Sequence, residues 1–464
     1  LAAGAEVENV EIVKDRMLQS HYNFRQARKR LMGFTNALWR QIDHLRWWMI
    51  LVLAIGIRLA FIYYLYSIYI TPGGGRLSLG GLSDTTYHYG ALQLLQGSIA
   101  TGYFAYHAPL MAMLIAVVYA LFGVDAIYLV VVVQAIFSAA TCLFAWSAAK
   151  TLGLDDRLGK TAALLLALDL SSIGVSLVIG AEVVSNFFIA WMLLFLARLL
   201  LRGQLRDALA CGAALVLAAL ARPNAVYFAA PAALAILLLS PRRWVNAALF
   251  GVICVLGMLP WFFRNYVYHR AFTFSTVGNF NLLFYRAASV EFWATASPVE
   301  EIQARLAFEL DRRLDLVKKD EVYNASSIWR HLALDDDPRA DRVMRDMALE
   351  IFVAHPKDLA ISLSIAFVKV LSYSEAFNPI PVFKWLNVLW NGILYLLAIV
   401  GGVFMLLKRQ WIWLAVTALP IAYFIAVPTI AGGIQDTRSA TSVTICFVLM
   451  AVYGIVEVKT RRVL

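Results

Sequence analysis

The stretch WWMILVLAIGIRLAFIYYLYSIYI, residues 47–70, decides what kind of protein this chain is. It contains one charged residue, Arg58, and as a helix it is long enough to cross the roughly 30 Å apolar core of a bilayer. Similar apolar stretches recur as far as Val456, and the 464-residue chain is 61% hydrophobic and only 15% charged, with mean hydropathy +0.71. This composition excludes a soluble domain and predicts an all-α polytopic membrane protein with about 10–12 membrane helices.

The formal net charge of +10 does not indicate nucleic-acid binding, because much of the excess lies in short segments between apolar stretches. That distribution is typical of the positive-inside rule, which keeps Lys and Arg on the cytoplasmic side. The segments in question hold Arg25, Arg28, Lys29, Arg30, Arg40, Arg46, Arg242, Arg243, Lys408, Arg409, Lys459, Arg461 and Arg462. We therefore expect the bilayer, and no nucleic acid, as the partner of these charges.

Changes in composition divide the chain into four parts. Residues 1–46 form a basic amphipathic segment, which we expect on the cytoplasmic membrane surface, although a partner-binding helix fits the same pattern. Residues 47–263 form a transmembrane core that includes an exterior loop over 71–107, and 358–464 contain the C-terminal membrane helices. The remaining part, 264–357, is a hydrophilic exterior loop, since 301–350 alone contain 21 charged residues. Its sequence EIQARLAFELDRRLDLVKK, residues 301–319, predicts an amphipathic helix.

The charges also predict a topology. The apolar stretch 109–122 has 14 residues and spans only about 21 Å as a helix, so we expect it to be embedded without crossing. The following spans then place a set of basic residues in the cytoplasm, namely Lys150, Arg157, Lys160, Arg202, Arg206, Arg242 and Arg243. The same topology gathers five polar features on the exterior face, namely Asp84, Glu182, Arg222, the segment 261–266 and the turn 432–438. We leave open whether 358–376 crosses.

Asp84 lies in GLSDTTYHYG, residues 81–90, just before a polar and aromatic helix. Aspartate is a favoured N-cap, so one role is capping. The other role is catalytic, because a half-buried carboxylate beside Tyr87, His88 and Tyr89 has raised basicity and can accept a proton from a substrate hydroxyl. The sequence alone leaves both roles open.

Several arginines are candidates for binding a phosphate, since the planar guanidinium bonds two oxygens at once. Arg58 lies deep in the first span, where it either pairs with an acidic residue of another helix or binds an anionic lipid headgroup. Arg222 precedes Pro223 at a helix break and is either an interfacial anchor or a phosphate ligand. Arg264, Arg438 and His107 add positive or donor groups to the same face.

The chain offers little sign of a metal or nucleotide site. It contains no HExxH, Walker, GxSxG or paired CxxC motif. The run Asp335, Asp336 and Asp337 is interpreted as a solvated helix start, and the four cysteines as lipid-facing or core residues. A divalent metal is possible but no clear motif supports one, and no cofactor is certain.

The order of several short motifs resembles the GT-C superfamily of membrane glycosyltransferases, especially the protein O-mannosyltransferase and lipid A aminoarabinose transferase branch. The first of these motifs is an aspartate early in an aromatic helix after the first span. The others are YHAPL (106–110), YALFG (119–123), GAEVVSNFF (180–188), LAALARPNAVYF (217–228) and LPWFFRNYVYHRAFTFSTVGNFNLLF (259–284). The resemblance is good over residues 47–290 and looser over 386–457.

The resemblance implies a GT-C-type fold, a polyprenyl-phosphate-linked sugar as donor, and inversion at the anomeric carbon. It also implies that Asp84 is the catalytic base and that Glu182 matches the family's second acidic residue. The candidate ligands of the donor phosphate or substrate are Arg58, Tyr87, His88, His107, Arg222, Arg264, Asn265 and Arg438. The chain departs from its relatives in having SDTT in place of an Asp-x-Asp pair, which weakens a metal-dependent mechanism, and GGIQDTRSA in place of a denser Arg/Tyr motif.

We therefore predict an inverting glycosyltransferase of the cytoplasmic (inner) membrane, multi-pass, with its active site facing the periplasm or exterior. The acceptor, whether lipid, glycan or protein, and the sugar are left open by the sequence. A lipid-linked oligosaccharide polymerase or ligase is the nearest enzymatic alternative. A transporter or flippase for a lipid-linked sugar and a non-catalytic assembly subunit are rivals from other classes.

Overall fold

The structure is a computed structural model that describes residues 39–69, 85–317, 322–332, 337–372, 381–432 and 438–461. The chain divides into two units, Leu1–Met49 and Ile50–Leu464. Of the first unit, the described residues 39–49 contain a short helix over 39–44 and the start of the first long helix. Most of the predicted amphipathic segment 1–46 lies outside the described residues, as do Asp84, Asp335, Asp336 and the turn 433–437.

The described residues fold into α-helices joined by short 3₁₀ turns and loops, as the sequence predicts. The first half contains α1 (Trp47–Tyr69), α2 (Thr85–Leu95), α3 (Tyr103–Tyr106), α4 (Pro109–Phe122), α5 (Ile127–Thr151), α6 (Asp156–Ala167), α7 (Leu170–Ser176), α8 (Ala181–Arg202), α9 (Leu205–Ala221), α10 (Ala229–Leu239) and α11 (Arg243–His269). The second half contains α12 (Val277–Asn281), α13 (Ala288–Thr295), α14 (Val299–Arg313), α15 (Ala340–Ala354), α16 (Pro356–Ser372), α17 (Pro381–Leu407), α18 (Trp411–Val416), α19 (Ala418–Ala431) and α20 (Thr444–Arg461).

Many of these helices are suited to a bilayer. Within the described residues, seven helical segments are long and apolar enough to span it, and the number rises to nine if each of two bent helix pairs counts as one span. The shorter apolar helices Pro109–Phe122 and Pro223–Leu239 come in addition. The chain is thus an all-α, multi-pass membrane protein, as predicted.

The largely apolar stretch 156–176 is broken into two helices, α6 and α7. α6 and α7 meet at an angle of 52° at the break. Asp169 is fully buried there, and its carboxylate caps α7 by accepting a hydrogen bond from the Ser172 backbone N–H at 2.7 Å. The capping interaction starts a new helix inside an otherwise continuous apolar stretch, which hydropathy alone does not reveal.

The centre of the second unit is α8, which packs against α5 and α9. The core around it is rich in alanine and leucine, with Ala190, Leu193 and Ala197 fully buried. Small side chains let helices approach closely where no hydrophobic effect drives them together. The four cysteines are buried and free, so they are core residues rather than lipid-facing ones.

The hydrophilic part of the chain has a small core of its own, formed by residues of α12 to α15. The predicted amphipathic helix corresponds to α14, which ends earlier than expected, at Arg313. Leu314 follows as the C-cap, and Asp315 adopts a left-handed backbone conformation with φ 60°. This conformation stops the helix before Lys318 and Lys319.

Arg286 joins this hydrophilic part to the end of α19. Its guanidinium is buried and donates hydrogen bonds to the backbone oxygens of Thr429, Ile430 and Ser362. Thr429 and Ile430 are in the last turn of α19, where carbonyl groups lack partners within the helix. Burial lowers the pKa of Arg286 to about 10, so the group remains charged at neutral pH.

Helices α17 and α20 touch through their backbones. A Cβ atom on Gly401 would lie 1.9 Å from the carbonyl oxygen of Met450, and one on Gly454 would lie 2.8 Å from the Gly401 nitrogen. The contact therefore requires glycine on both helices. It resembles the small-residue contacts that hold other membrane helices together.

We expect Gly401→Ala to lower the melting temperature of the purified protein by several degrees, because the blocking atom is backbone and cannot move aside alone. Thermal unfolding followed by size-exclusion chromatography measures this. Gly392→Ala on the same helix is the control, since its Cβ would meet nothing within 4 Å. Equal melting of the two variants would contradict the close approach of α17 and α20.

Candidate active site

A cavity of about 580 Å³ collects polar side chains from five separate parts of the chain. Tyr87 comes from α2, His107 follows α3, Glu182 begins α8, Arg222 ends α9 and Arg438 follows α19. The remaining lining residues are Tyr106, Pro223, Asn224, Tyr227, Phe274, Ser275, Val277, Gly278, Asn281, Tyr285, Val427, Pro428, Ala431, Gly432 and Ser439. The structure thus brings together five of the ten residues that the sequence singles out.

Glu182 and Arg222 form an ion pair in this cavity, with Oε1 and Nη2 3.4 Å apart. Arg222 is the C-cap of α9 in an extended conformation, because Pro223 cannot continue the helix. Glu182 is in the first turn of α8, where the helix dipole favours a negative charge. The side chains are only 17% and 18% exposed, so the pair is screened from bulk water yet borders the cavity.

The Glu182 carboxylate lies directly over the backbone of Gly180. A Cβ atom on Gly180 would lie 2.4 Å from Oε2 of Glu182. A larger residue at position 180 would therefore require the carboxylate to shift. Arg438 and His107 line the same cavity, so three basic side chains share it with this carboxylate.

The backbone around Arg438 is held by Asn186, one turn after Glu182 on α8. Asn186 Nδ2 donates to Thr441 Oγ1 at 2.9 Å, and Asn186 Oδ1 accepts from Ser442 Oγ at 2.9 Å. Thr441 in turn donates to the Arg438 carbonyl oxygen at 2.6 Å. Sequence reasoning missed the role of Asn186, although it lies in the quoted stretch GAEVVSNFF, because its partners are about 255 positions away.

His107 is enclosed by aromatic rings and tied to the start of α2. Its ring centroid is 4.6 Å from that of Tyr87, 4.8 Å from Tyr103 and 4.5 Å from Tyr106. Its Nε2 atom is 2.8 Å from Thr86 Oγ1. These contacts fix the imidazole at the wall of the cavity. Asp84, the predicted base, lies outside the described residues, and α2 begins with the next residue, Thr85.

Arg264 binds backbone instead of lining the cavity. Its guanidinium donates to Ile99 O at 3.0 Å and to Thr101 O at 2.9 Å, and to Asn265 Oδ1 at 2.7 Å. Its cationic group also lies 5.4 Å from the centroid of the Trp261 ring. The loop before α3 is therefore fastened to α11 by this side chain, and all three nitrogens that carry its donors have partners within the protein.

Asn265 has a similar positioning role. It is fully buried, and its Nδ2 donates to the backbone oxygens of Thr273 and Phe274 at 2.9 and 3.1 Å. Phe274 lines the cavity, so Asn265 fixes the course of a segment that forms its wall. The geometry supports an indirect role for Asn265 and no contact with a ligand.

Two more predicted ligands lie away from the cavity. Arg58 is fully buried and donates to Ser138 Oγ at 2.8 Å, to Ala54 O at 3.1 Å and to Ala167 O at 3.2 Å. These contacts favour a structural role for Arg58 over binding of a lipid headgroup. The hydrogen-bond partners are oxygens of uncharged groups, and not the acidic side chain that the sequence suggests as a partner. His88 packs on α4, with Nδ1 2.7 Å from Tyr119 Oη, and burial lowers its pKa, so it is neutral at pH 7.

A second cavity, of about 700 Å³, adjoins the first. Both are lined by Tyr106, His107, Val277, Asn281 and Tyr285. Tyr285 lies in a π-helical turn, Leu282–Ala287, a local irregularity that is frequent at functional sites. Burial raises the pKa of Tyr285, so its hydroxyl stays protonated and can donate. The sequence offered no signal for this residue beyond its aromatic character.

The described residues contain no group of three or more His, Cys, Asp or Glu side chains that could hold a metal ion. Asp337, the described member of the Asp335–Asp337 run, accepts from the Arg339 side chain at 2.8 Å.

We expect Arg264→Lys to lower the melting temperature by several degrees. The single ammonium group of lysine cannot replace a guanidinium that donates to the oxygens of Ile99, Thr101 and Asn265. Each buried carbonyl left without a donor costs about 1–3 kcal/mol. Thermal unfolding in a mild detergent tests this, with the exposed Arg243→Lys as the matched control. An unchanged melting temperature for Arg264→Lys would remove the positioning role.

Comparison with known proteins supports the fold. Residues 106–267 match the family model of dolichyl-phosphate-mannose-protein mannosyltransferases. No curated protein matches this chain in sequence. The apo crystal structure of the Archaeoglobus fulgidus oligosaccharyltransferase has a TM-score of 0.52 at 14% identity, over 90% of this chain and 51% of that chain.

The same oligosaccharyltransferase tethered to an acceptor peptide with an NVT sequon has a TM-score of 0.51 at 15% identity, over 90% and 50% of the two chains. This chain therefore spans about half the length of those structures. ArnT from Cupriavidus metallidurans bound to undecaprenyl phosphate has a TM-score of 0.34 at 15% identity, over 87% of this chain and 77% of that chain. This structural similarity is too low to bear on the fold. This chain therefore shares its fold with the oligosaccharyltransferase structures, and over residues 106–267 it is similar to the family of dolichyl-phosphate-mannose-protein mannosyltransferases.

Proposed function

We propose that this protein is an inverting glycosyltransferase that takes a sugar from a polyprenyl-phosphate donor and transfers it on the non-cytoplasmic side of the membrane. The observation that carries the proposal is the cavity in which Arg222, Arg438, His107 and Glu182 meet. The match to a family described by its dolichyl-phosphate-mannose donor supports the same class of substrate. The distribution of basic residues supports the side of the membrane.

The lining of this cavity is suited to an amphiphilic donor. Arg222 and Arg438 supply positive charge for a phosphate, while Tyr227, Val427 and Pro428 supply an apolar edge. Tyr227 is 66% exposed, so this edge is open to a hydrocarbon chain lying along the helices. A lipid phosphate with its prenyl tail in the bilayer satisfies both parts of the lining at once.

Asp84 is the base in the proposed reaction. It takes the proton of an acceptor hydroxyl as that oxygen attacks the anomeric carbon from the face opposite the phosphate. The new glycosidic bond forms while the bond between the anomeric carbon and the phosphate oxygen breaks, which inverts the configuration. The electron pair leaves with the polyprenyl phosphate, whose charge Arg222 and Arg438 stabilise.

Glu182 takes a different role from Asp84. The Glu182 carboxylate is already ion-paired with Arg222, which commits it to an arginine and not to the hydroxyl of an acceptor. We propose that Glu182 holds Arg222 toward the donor phosphate. Glu182 therefore acts on the leaving group, and Asp84 on the attacking hydroxyl.

Asp84→Asn is expected to reduce sugar transfer by about 10²–10⁴-fold. Asparagine is as good an N-cap as aspartate, so this change removes the base and preserves the capping alternative. Transfer of radiolabelled sugar from a polyprenyl phosphate measures the effect, and melting temperature and donor-lipid binding should stay as in the unchanged protein. Asp155→Asn, at the N-cap of α6, is the matched control. Full activity in Asp84→Asn would overturn the assignment.

Arg222→Ala is expected to raise the apparent KM for the donor by roughly tenfold to a hundredfold, the worth of one charge-assisted hydrogen bond. The KM for the acceptor should change much less, because the arginine contacts only the phosphate side of the reaction. Arg243→Ala, which lies outside both cavities, is the control. An equal rise in both KM values would argue against a donor-phosphate site at Arg222.

A separate experiment in proteoliposomes tests the transporter alternative. Flux of a lipid-linked sugar without sugar transfer would favour a flippase.

A further inference from the structure

The second cavity differs from the first in charge. None of the described residues that line it is Arg, Lys, Asp or Glu. Six aromatic rings dominate its wall instead, those of Tyr89, Tyr103, Tyr106, Phe280, Tyr285 and Trp329. At about 700 Å³ its volume lies within the roughly 300–1,000 Å³ typical of small-molecule sites.

Two of these rings present an open surface to a ligand. Trp329 is 53% exposed and Tyr89 is 61% exposed, although both are large aromatic side chains. Trp329 is nevertheless held in place, because its ring stacks on Phe280 with centroids 5.6 Å apart and an interplanar angle of 28°. An exposed aromatic ring with a fixed orientation is a platform for stacking.

The turn that carries Trp329 is held in place by contacts of the residues that follow it. The buried His331 lies 3.1 Å from Asp311, measured from Nε2 to Oδ1, and its ring stacks over Phe284. The Leu332 carbonyl oxygen accepts a hydrogen bond from Thr276 Oγ1 at 2.6 Å. These contacts connect the Trp329 turn to the segment that forms the wall between the two cavities.

Neutral polar groups lie among the rings. Gln93 Oε1 accepts from Thr101 Oγ1 at 2.6 Å, which commits the amide oxygen and leaves the amide nitrogen as a donor for a ligand. Asn281 and Thr86 add an amide and a hydroxyl. The wall therefore combines ring faces with uncharged hydrogen-bonding groups.

We propose that this second cavity binds a neutral saccharide, the part of the acceptor that carries the attacked hydroxyl, with a pyranose ring lying against Trp329 and Tyr89. The polarised C–H groups of a pyranose face are attracted to the negative face of an aromatic ring, and its hydroxyls match the amides and hydroxyls of the wall. This inference rests on the proposed function, in which the adjoining cavity holds the donor. The shared wall at His107 and Tyr285 is where the two substrates meet.

Other ligand classes fit this lining less well. A phosphorylated or uronic acid-bearing glycan would find neither Arg nor Lys among the described lining residues to pair with its charge. A hydrocarbon chain would leave the amide groups of Gln93 and Asn281 facing apolar groups, which costs free energy for each unpaired polar atom. A neutral saccharide carries no charge that needs a cation, and its hydroxyls can pair with the amide groups of the wall.

Binding of free saccharides without any donor tests the assignment. The protein is placed in lipid nanodiscs, because detergents with sugar headgroups would compete for the site. Saturation-transfer NMR and titration then compare neutral maltotriose and mannotriose with an oligogalacturonate and a serine- and threonine-rich peptide. We expect the neutral trisaccharides to bind, and Trp329→Ala and Tyr89→Ala each to raise their Kd by roughly tenfold.

Trp293→Ala and Tyr128→Ala are the matched controls, since these residues are 44% and 55% exposed and line neither cavity. The proposal is overturned if the neutral trisaccharides do not bind, if the anionic glycan or the peptide binds in their place, or if Trp329→Ala and Trp293→Ala bind equally well. Transfer from the donor is measured separately. Transfer that depends on Asp84 without saccharide binding would refute only the acceptor class, whereas saccharide binding without transfer would refute the proposed function.

Discussion

Helices that end inside an apolar environment leave carbonyl oxygens that water cannot reach, and the protein must supply donors for them. Two buried arginines meet this need at helix ends, and a third supplies donors to a loop. Arg58 donates to Ala167, the last residue of α6, Arg286 donates to the last turn of α19, and Arg264 donates to the loop before α3. Ala431 and Gly432 at the end of α19 line the first cavity and Thr101 lines the second, so Arg286 and Arg264 hold backbone that borders the cavities.

This constraint separates two kinds of arginine that look alike in the sequence. Arg58, Arg264 and Arg286 direct their donors to backbone oxygens and so fix the framework. Arg222 and Arg438 instead border a cavity in which a carboxylate, Glu182, is the neighbouring charge. A guanidinium that borders a cavity can be reached by an oxyanion that enters it, and one enclosed by backbone oxygens cannot.

Much of the fold could be predicted because long apolar stretches have few alternatives to helices in a bilayer. The position of Arg222 could also be predicted, since Pro223 must end a helix there. The partners of Arg58 and Arg264 could not, because they are mostly carbonyl oxygens of ordinary residues such as Ala54 and Ile99. The roles of Asn186 and Tyr285 were hidden for a related reason, since they arise only when segments far apart in sequence come together.

The wall that contains His107, Asn281 and Tyr285 belongs to both cavities. A displacement of Tyr285, which lies in the less regular π-helical turn, alters both spaces together. A ligand in one cavity that displaced Tyr285 would change the shape of the other cavity, and so the free energy with which a second ligand binds there. Thermodynamic linkage makes such an effect equal in both directions, so under the proposed function this shared wall would couple arrival of the donor to retention of the acceptor.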